Sequence, residues 1–223
     1  MSPDSRPSRP PALSELRFLF QPVQPLAGGG AWAEALVRWN LPDGTIRGPL
    51  DVLPYWLAPG NVASFTRFTL DQAAAALAAV PTGHVSINLS PVQAMLPDTV
   101  RILDDLVPAV RNRLGIEITE QRVRDRRRLA SSLPTLHPRC AALLLDDVTP
   151  DDLPSWTDVG TLFGSELDGV KIDRSVTWQL FGADSAARDA AREFVLEASR
   201  RFELVVAEGV EDPSMCRSLA DWE

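Results

Sequence analysis

An α/β fold organised around a parallel sheet is what this sequence predicts, and three observations carry the expectation. Short β-type runs alternate with longer helical patterns along most of the chain, the order that βαβ units impose. Apolar runs of strand length end abruptly at acids, as in ALLLDD from Ala142 to Asp147. The chain has 223 residues, 45% of them hydrophobic, which is enough for one large core and suits an α/β barrel.

The elements are expected in the following order. LRFLFQP (Leu16–Pro22) and AWAEALVRW (Ala31–Trp39) read as strands, joined by a turn at Gly28, Gly29 and Gly30. No Lys-Ser or Lys-Thr follows those glycines, so a flexible turn is a better reading than a phosphate loop. A helix over Val62–Ala79 leads to HVSINLS, a helix near Pro97–Arg111 to LGIEIT, and a helix near Arg122–Leu133 to AALLLDD. After a loop-rich segment come DGVKID, a helix over Arg188–Phe202, ELVVAEG and a last short helix. In Arg188–Phe202 the residues Ala190, Phe194, Val195, Ala198 and Phe202 are expected on one face. In the last helix Asp212 suits the N-cap and Pro213 the first turn. Seven strands are counted, one short of an eight-stranded barrel; a doubly wound open sheet is the structural rival. Residues 1–14, rich in Pro, Ser and Arg, read as a disordered leader, and residues 15–223 as one domain.

Composition narrows the chemistry. No apolar run approaches membrane-spanning length and the N-terminus lacks a secretory signal, so a cytoplasmic protein is expected. Cys140 and Cys216 stand far apart, and His84 and His137 are the only histidines; neither a disulfide framework, a zinc site nor imidazole catalysis is indicated. A net charge of −8 argues against nucleic-acid binding, although a bound cation lets an acidic protein hold an anionic substrate. The arginine-rich stretch Arg122–Arg128 reads as a solvated helix face, and Cys140 as a small core residue.

Carboxylates remain as the working groups, and they recur at strand ends. Glu34 lies between Ala33 and Ala35, Asn88 between Ile87 and Leu89, Glu117 between Ile116 and Ile118, and Lys171 between Val170 and Ile172; Asp146 and Glu208 close two apolar runs. Side chains alternate across a strand, so Glu34, Leu36 and Arg38 share a face, as do Lys171 and Asp173. In a parallel barrel these groups converge on one rim. Four or five converging acids repel and take up protons unless a cation joins them, and an all-oxygen donor set favours Mg²⁺, Mn²⁺ or Ca²⁺ over zinc.

The blocks FQPV (Phe20–Val23), EALVRW (Glu34–Trp39), INLSPVQ (Ile87–Gln93), IEITE (Ile116–Glu120), LDD (Leu145–Asp147), VKIDRS (Val170–Ser175) and VVAEGVE (Val205–Glu211) together resemble, in order, the EAL domain family. The resemblance implies a modified TIM-type (β/α)8 barrel that hydrolyses the bacterial second messenger cyclic di-GMP to linear pGpG with Mg²⁺ or Mn²⁺. It also implies roles: Glu34, Asn88, Glu117 and Asp146 as metal ligands, Asp147 serving a second metal, and Lys171 positioning the attacking water. Glu208 would then be the general base, Arg38 a substrate-phosphate contact, and Glu120, Asp173 and Glu211 supporting groups. The family resemblance also admits a homodimer or a signalling protein partner.

Two departures from the family pattern stand out. Where the family has a Phe-Gly-Thr-Gly-type loop after the aspartate pair, this chain reads VTPDDLPSW from Val148 to Trp156. The family continues into an eighth strand with a Gln-Gly-Tyr-type motif, whereas this chain stops at Glu223, so a barrel truncated before its last strand is expected. The alternative function is therefore a catalytically degenerate EAL domain, acting as a cyclic di-GMP receptor or a protein-interaction module.

Overall fold

The structure is a computed structural model and describes residues 9–26, 28–119, 126–150 and 166–220. Eight strands form one sheet: β1 (Leu16–Val23), β2 (Trp32–Asn40), β3 (Ile46–Arg47), β4 (His84–Leu89), β5 (Leu114–Ile118), β6 (Ala142–Val148), β7 (Gly169–Ile172) and β8 (Leu204–Ala207). Their order is β1-β2-β4-β5-β6-β7-β8, with the two-residue β3 attached to β2. All neighbours from β2 to β8 are parallel, while β1 and β3 run antiparallel to β2. A doubly wound sheet reverses its order at a switch point; this one advances in sequence order, as a barrel does.

The sheet must also curl. Glu34 on β2 and Lys171 on β7 meet at 3.0 Å, yet β4, β5 and β6 lie between them. In a flat sheet four strand spacings separate their backbones by about 19 Å, beyond the combined reach of both side chains. The result is a partly closed barrel in which, among the described residues, β1 and β8 each have one strand neighbour.

The helices are α1 (Pro49–Trp56), α2 (Val62–Ala79), α3 (Pro91–Ala94), α4 (Pro97–Asp105), α5 (Pro108–Arg111), α6 (Arg126–Leu136), α7 (Arg174–Leu180), α8 (Ser185–Arg201) and α9 (Pro213–Ala220). The helix expected over Pro97–Arg111 is broken in two. Val107 precedes Pro108 and adopts an extended conformation, ψ 145°, because a residue before proline avoids the helical region. The helix expected from Arg188 starts earlier, since the Asp184 side chain accepts the amides of Ala186 and Ala187 at 2.9 and 3.2 Å. Its buried face carries Ala191, Phe194 and Ala198, so Ala191 rather than Ala190 is the inward residue. Asp212 caps α9 as expected, accepting the amides of Ser214 and Met215 at 2.7 and 3.2 Å.

The principal core lies between the outward strand face and the helices, where Ile87, Leu89, Ile116, Ile118, Val170 and Ile172 pack with Leu70, Leu77, Leu103, Leu133 and Phe194. A second cluster joins Leu16, Val37 and Trp39 to Val52, Trp56 and Phe65. Residues 9–15 pack against that end: the Trp56 indole donates to the Pro11 carbonyl at 3.1 Å and Arg9 pairs with Glu15. With the outward face committed to this packing, the inward positions are free for polar groups.

Candidate metal centre and active site

Strand register stacks the inward residues in steps. Glu34 is level with Ser86, Asn88 with Glu117, and Lys171 with Val206. Alternation then puts Ser86 and Asn88, Gly115 and Glu117, Ala142 and Asp146, Gly169 and Lys171, and Val206 and Glu208 on one side of the sheet. Small residues make the convergence sterically feasible. A Cβ on Gly115 would sit 2.7 Å from the Trp32 ring, and one on Gly169 would overlap the Leu204 carbonyl oxygen.

Lys171 is the centre of the arrangement. Its ammonium lies 3.0 Å from Glu34, 2.8 Å from Glu117, 2.8 Å from Asp146 and 2.7 Å from Glu208. Lys171 and Glu117 are each 2% exposed and Asp146 is 6% exposed. Asn88 extends the cluster by donating its amide to Glu34 Oε1 at 2.6 Å. The ammonium donates to Glu34 Oε2 at 3.0 Å, and with three N–H groups facing four carboxylates it cannot give each a full hydrogen bond. Glu117 Oε2 and Asp146 Oδ1, both buried, have no partner among the described residues besides this ammonium.

The electrostatics follow from burial and crowding. Burial, reinforced by Glu34 and Asp146, pushes the Glu117 carboxyl up to about 7 against the opposing pull of Lys171. Burial also raises Glu208, with Lys171 opposing. Burial alone would lower the Lys171 ammonium, but the four carboxylates outweigh it and hold the group protonated.

The aspartate pair has a structural explanation. Adjacent residues on a strand normally face opposite sides, which would remove Asp147 from the site. Between β6 and β7, however, Leu145 pairs with Val170 and Val148 with Ile172, so β6 carries one extra residue at Asp146–Asp147. This bulge re-aims the side chain, and Asp147 takes a left-handed conformation with φ 54°. Its carboxylate oxygen comes within 4.8 Å of those of Asp146 and Glu208. Burial and the neighbouring Asp146 raise its pKa.

Two carboxylate sets have the spacing of cation ligands: Glu34, Glu117 and Asp146, and Asp146, Asp147 and Glu208, each with oxygens within 4.8 Å of one another. Hard divalent cations take oxygen ligands at about 2.0–2.6 Å, so oxygens at this spacing can share one ion. The buried oxygens of Glu117 and Asp146, whose one partner among the described residues is the Lys171 ammonium, fit the same requirement.

Other expected site residues stand apart. Arg38 shares the inward face with Glu34 but lies four residues along β2, about 13 Å, and donates to the Val37 carbonyl at 2.9 Å. Asp173 caps α7 through the Ser175 amide at 2.8 Å. Glu211 is exposed. Glu120 lies outside the described residues, as do residues 151–165 of the loop that departs from the family pattern and residues 122–125 of the arginine-rich stretch. Burial, with Asp168 nearby, pushes the Cys140 thiol up to about 12, which suits the small packed residue expected there more than a thiolate. Gln21, the register partner of Glu34, joins the polar face; its signal in the sequence was a polar residue between Phe20 and Pro22. No helix among the described residues is long and apolar enough to cross a membrane.

Comparison with known proteins agrees with the geometry. An uncharacterized signaling protein of Caulobacter vibrioides is 30% identical over 205 residues, covering 89% of this chain and 25% of its own length. This chain thus spans a quarter of that curated relative. The structure of the EAL enzyme Bd1971 in its cAMP- and cyclic-di-GMP-bound form superposes with a TM-score of 0.78 at 22% identity, over 93% of this chain and 58% of that one. The EAL domain of FimX from Pseudomonas aeruginosa, bound to c-di-GMP, superposes with a TM-score of 0.74 at 21% identity, over 94% of this chain and 86% of that one. The family model of the EAL domain matches residues 8–223, and with the curled sheet and its acidic centre in place, the chain belongs to the EAL domain family.

Proposed function

We propose that this chain is a metal-dependent phosphodiesterase that opens cyclic di-GMP to linear pGpG. The observation that carries the reading is the pair of carboxylate sets sharing Asp146 beside Lys171 and Glu208. Similar solved EAL domains with c-di-GMP bound support the choice of ligand. Glu34, Asn88, Glu117, Asp146 and Asp147 would hold Mg²⁺ or Mn²⁺. When bound, such ions polarise a phosphodiester, acidify water and neutralise charge that develops on the phosphoryl oxygens.

The chain's own residues do the rest. Asn88 steers Glu34 through its amide hydrogen bond. Glu208, already raised by burial, accepts the proton of the attacking water, since a base works best with a pKa near the working pH. Lys171 orients that water and offsets the carboxylates around it. Arg38, on the same inward face higher along β2, takes a phosphate oxygen of the nucleotide by charge-assisted hydrogen bonding.

The test is incubation with cyclic di-GMP and Mn²⁺, with EDTA as control and chromatographic detection of pGpG. EDTA-sensitive product is expected, and Glu208→Gln should lower turnover by about 10²–10⁴ with its melting midpoint retained. Turnover that survives Glu208→Gln would remove the base assignment. The altered segment after Asp147 favours one rival, a receptor that binds without cleaving. Calorimetric binding by a folded sample that yields no product would decide for it.

A further inference from the structure

Just after Glu208 the backbone runs against α7. Three features meet there. The Trp178 indole on α7 donates to the Gly209 carbonyl at 3.1 Å. Gly209 has φ +69°, and a Cβ on it would sit 2.6 Å from Arg174 Cβ and 3.1 Å from the Trp178 nitrogen, so α7 presses directly on this backbone. The Arg174 guanidinium in turn lies over the Trp178 ring, 5.4 Å from its centroid.

We infer that Trp178 is a positioning residue that, with Arg174 behind it, fixes the backbone on which Glu208 stands. The proposal deepens the phosphodiesterase reading and rests on it for its kinetic consequence. Glu208 directly follows the short β8, and its amide donates to the Ile172 carbonyl at 3.0 Å. One side of the residue is therefore tied to β7, and the next carbonyl is tied to α7. Between the two ties the carboxylate reaches the Lys171 ammonium at 2.7 Å.

The other end of the connection is equally fixed. Asp173, two residues after Lys171, caps α7 through Ser175, so β7, α7 and the Glu208 segment form one closed loop of contacts. Trp178 is 47% exposed, so core packing alone does not fix its ring. Its indole hydrogen bond to the Gly209 carbonyl, beside the proposed base, is the contact that holds it there. A base displaced by about 1 Å loses much of its rate, so the latch acts on turnover more than on binding.

Trp178→Phe tests this, because it keeps an aromatic face for Arg174 and removes the donor. Two readouts are needed. Hydrogen exchange of the peptide covering 204–212 should quicken at least about fivefold at the amides following Glu208, with the melting midpoint within a few degrees of wild type. In the cyclic di-GMP assay kcat should fall about tenfold, equivalent to about 1.4 kcal/mol, with KM within about twofold. Unchanged exchange overturns the latch whether or not the protein turns over substrate. Quickened exchange with unchanged kcat in an active protein overturns its role in positioning Glu208. A wild type without turnover removes the phosphodiesterase reading and with it the kinetic role, while exchange alone then decides the latch.

Discussion

Replacing Lys171 by methionine should make the fold depend on acid or on a divalent cation. The substitution keeps much of the side-chain length and removes the ammonium that lies within 3.0 Å of Glu34, Glu117, Asp146 and Glu208. Glu117 and Asp146 are buried and would be left facing other carboxylates. Breaking a buried ion pair by deleting one partner costs about 3–5 kcal/mol. For a chain of this size each kcal/mol moves the melting midpoint by about 2–4 °C, so a drop of roughly 6–20 °C is expected in EDTA at pH 8. Two treatments should restore stability. At pH 5 Glu117, whose folded pKa is about 7, carries a proton, and millimolar Mn²⁺ supplies the missing positive charge. Thermal melts of wild type and variant under the three conditions measure both rescues. A variant that melts with wild type in EDTA at pH 8, or a loss indifferent to pH and Mn²⁺, would refute the idea that the lysine holds a cluster of charged acids together.

Wild-type protein without metal should itself lose stability as pH rises. Glu117 has a folded pKa of about 7 against an ordinary 4.5, so its contribution is full below pH 4.5 and gone above pH 7. The loss is on the order of 3 kcal/mol from this group, visible in denaturant titrations at pH 5 and pH 8 and reduced in Glu117→Gln, where Asp147 and Glu208 keep a smaller loss of the same sign. Over the same window Mn²⁺ affinity, followed by calorimetry, should rise by up to about tenfold per pH unit and then level off, since the ion displaces the Glu117 proton. Asp147→Gly should stabilise the metal-free chain by about 1 kcal/mol through relief of the left-handed backbone and at the same time weaken Mn²⁺ binding; unchanged binding would remove Asp147 from the ligand set. Gly169→Ala, which drives a methyl into the Leu204 carbonyl, should cost at least about 2 kcal/mol in chemical denaturation by prying β8 from β7.

Seven of the strands were legible in the sequence as apolar runs carrying or ending at a conspicuous polar residue, whereas the two-residue β3 is too short to show a pattern. β4, with Asn88 in HVSINL, and β7, with Lys171 in GVKI, lie where those patterns put them. Period two grouped Glu34 with Arg38 and Lys171 with Asp173, and the expected barrel brought both strands to one rim; Glu34 and Lys171 do meet, at 3.0 Å. The short α1, α3 and α7 were not legible: helices of four to eight residues span too few turns to show a period. Nor was the bulge in β6. Alternation alone would have sent Asp146 and Asp147 to opposite sides, and an extra residue in one strand leaves no mark in hydropathy. Trp178 escaped notice for a related reason, since its partner is a backbone carbonyl supplied by a segment 31 positions away.

Charge explains why the centre contains both a lysine and so many acids. Glu34, Glu117, Asp146, Asp147 and Glu208 set against Lys171 leave a formal charge of −4 when all are ionised, which two divalent cations cancel. A cluster of that charge without its lysine would be difficult to fold before any metal arrived. With the lysine, the metal-free chain keeps one compensating charge and sheds part of the remainder through the raised pKa values of Glu117, Asp147 and Glu208. The three N–H donors of the ammonium are shared among four carboxylates, so it cannot saturate their oxygens. Lys171 therefore compensates enough charge to let the centre assemble while leaving ligand oxygens for an ion. A neutral residue in its place would sacrifice folding, and a second cationic side chain would satisfy those oxygens and compete with the metal.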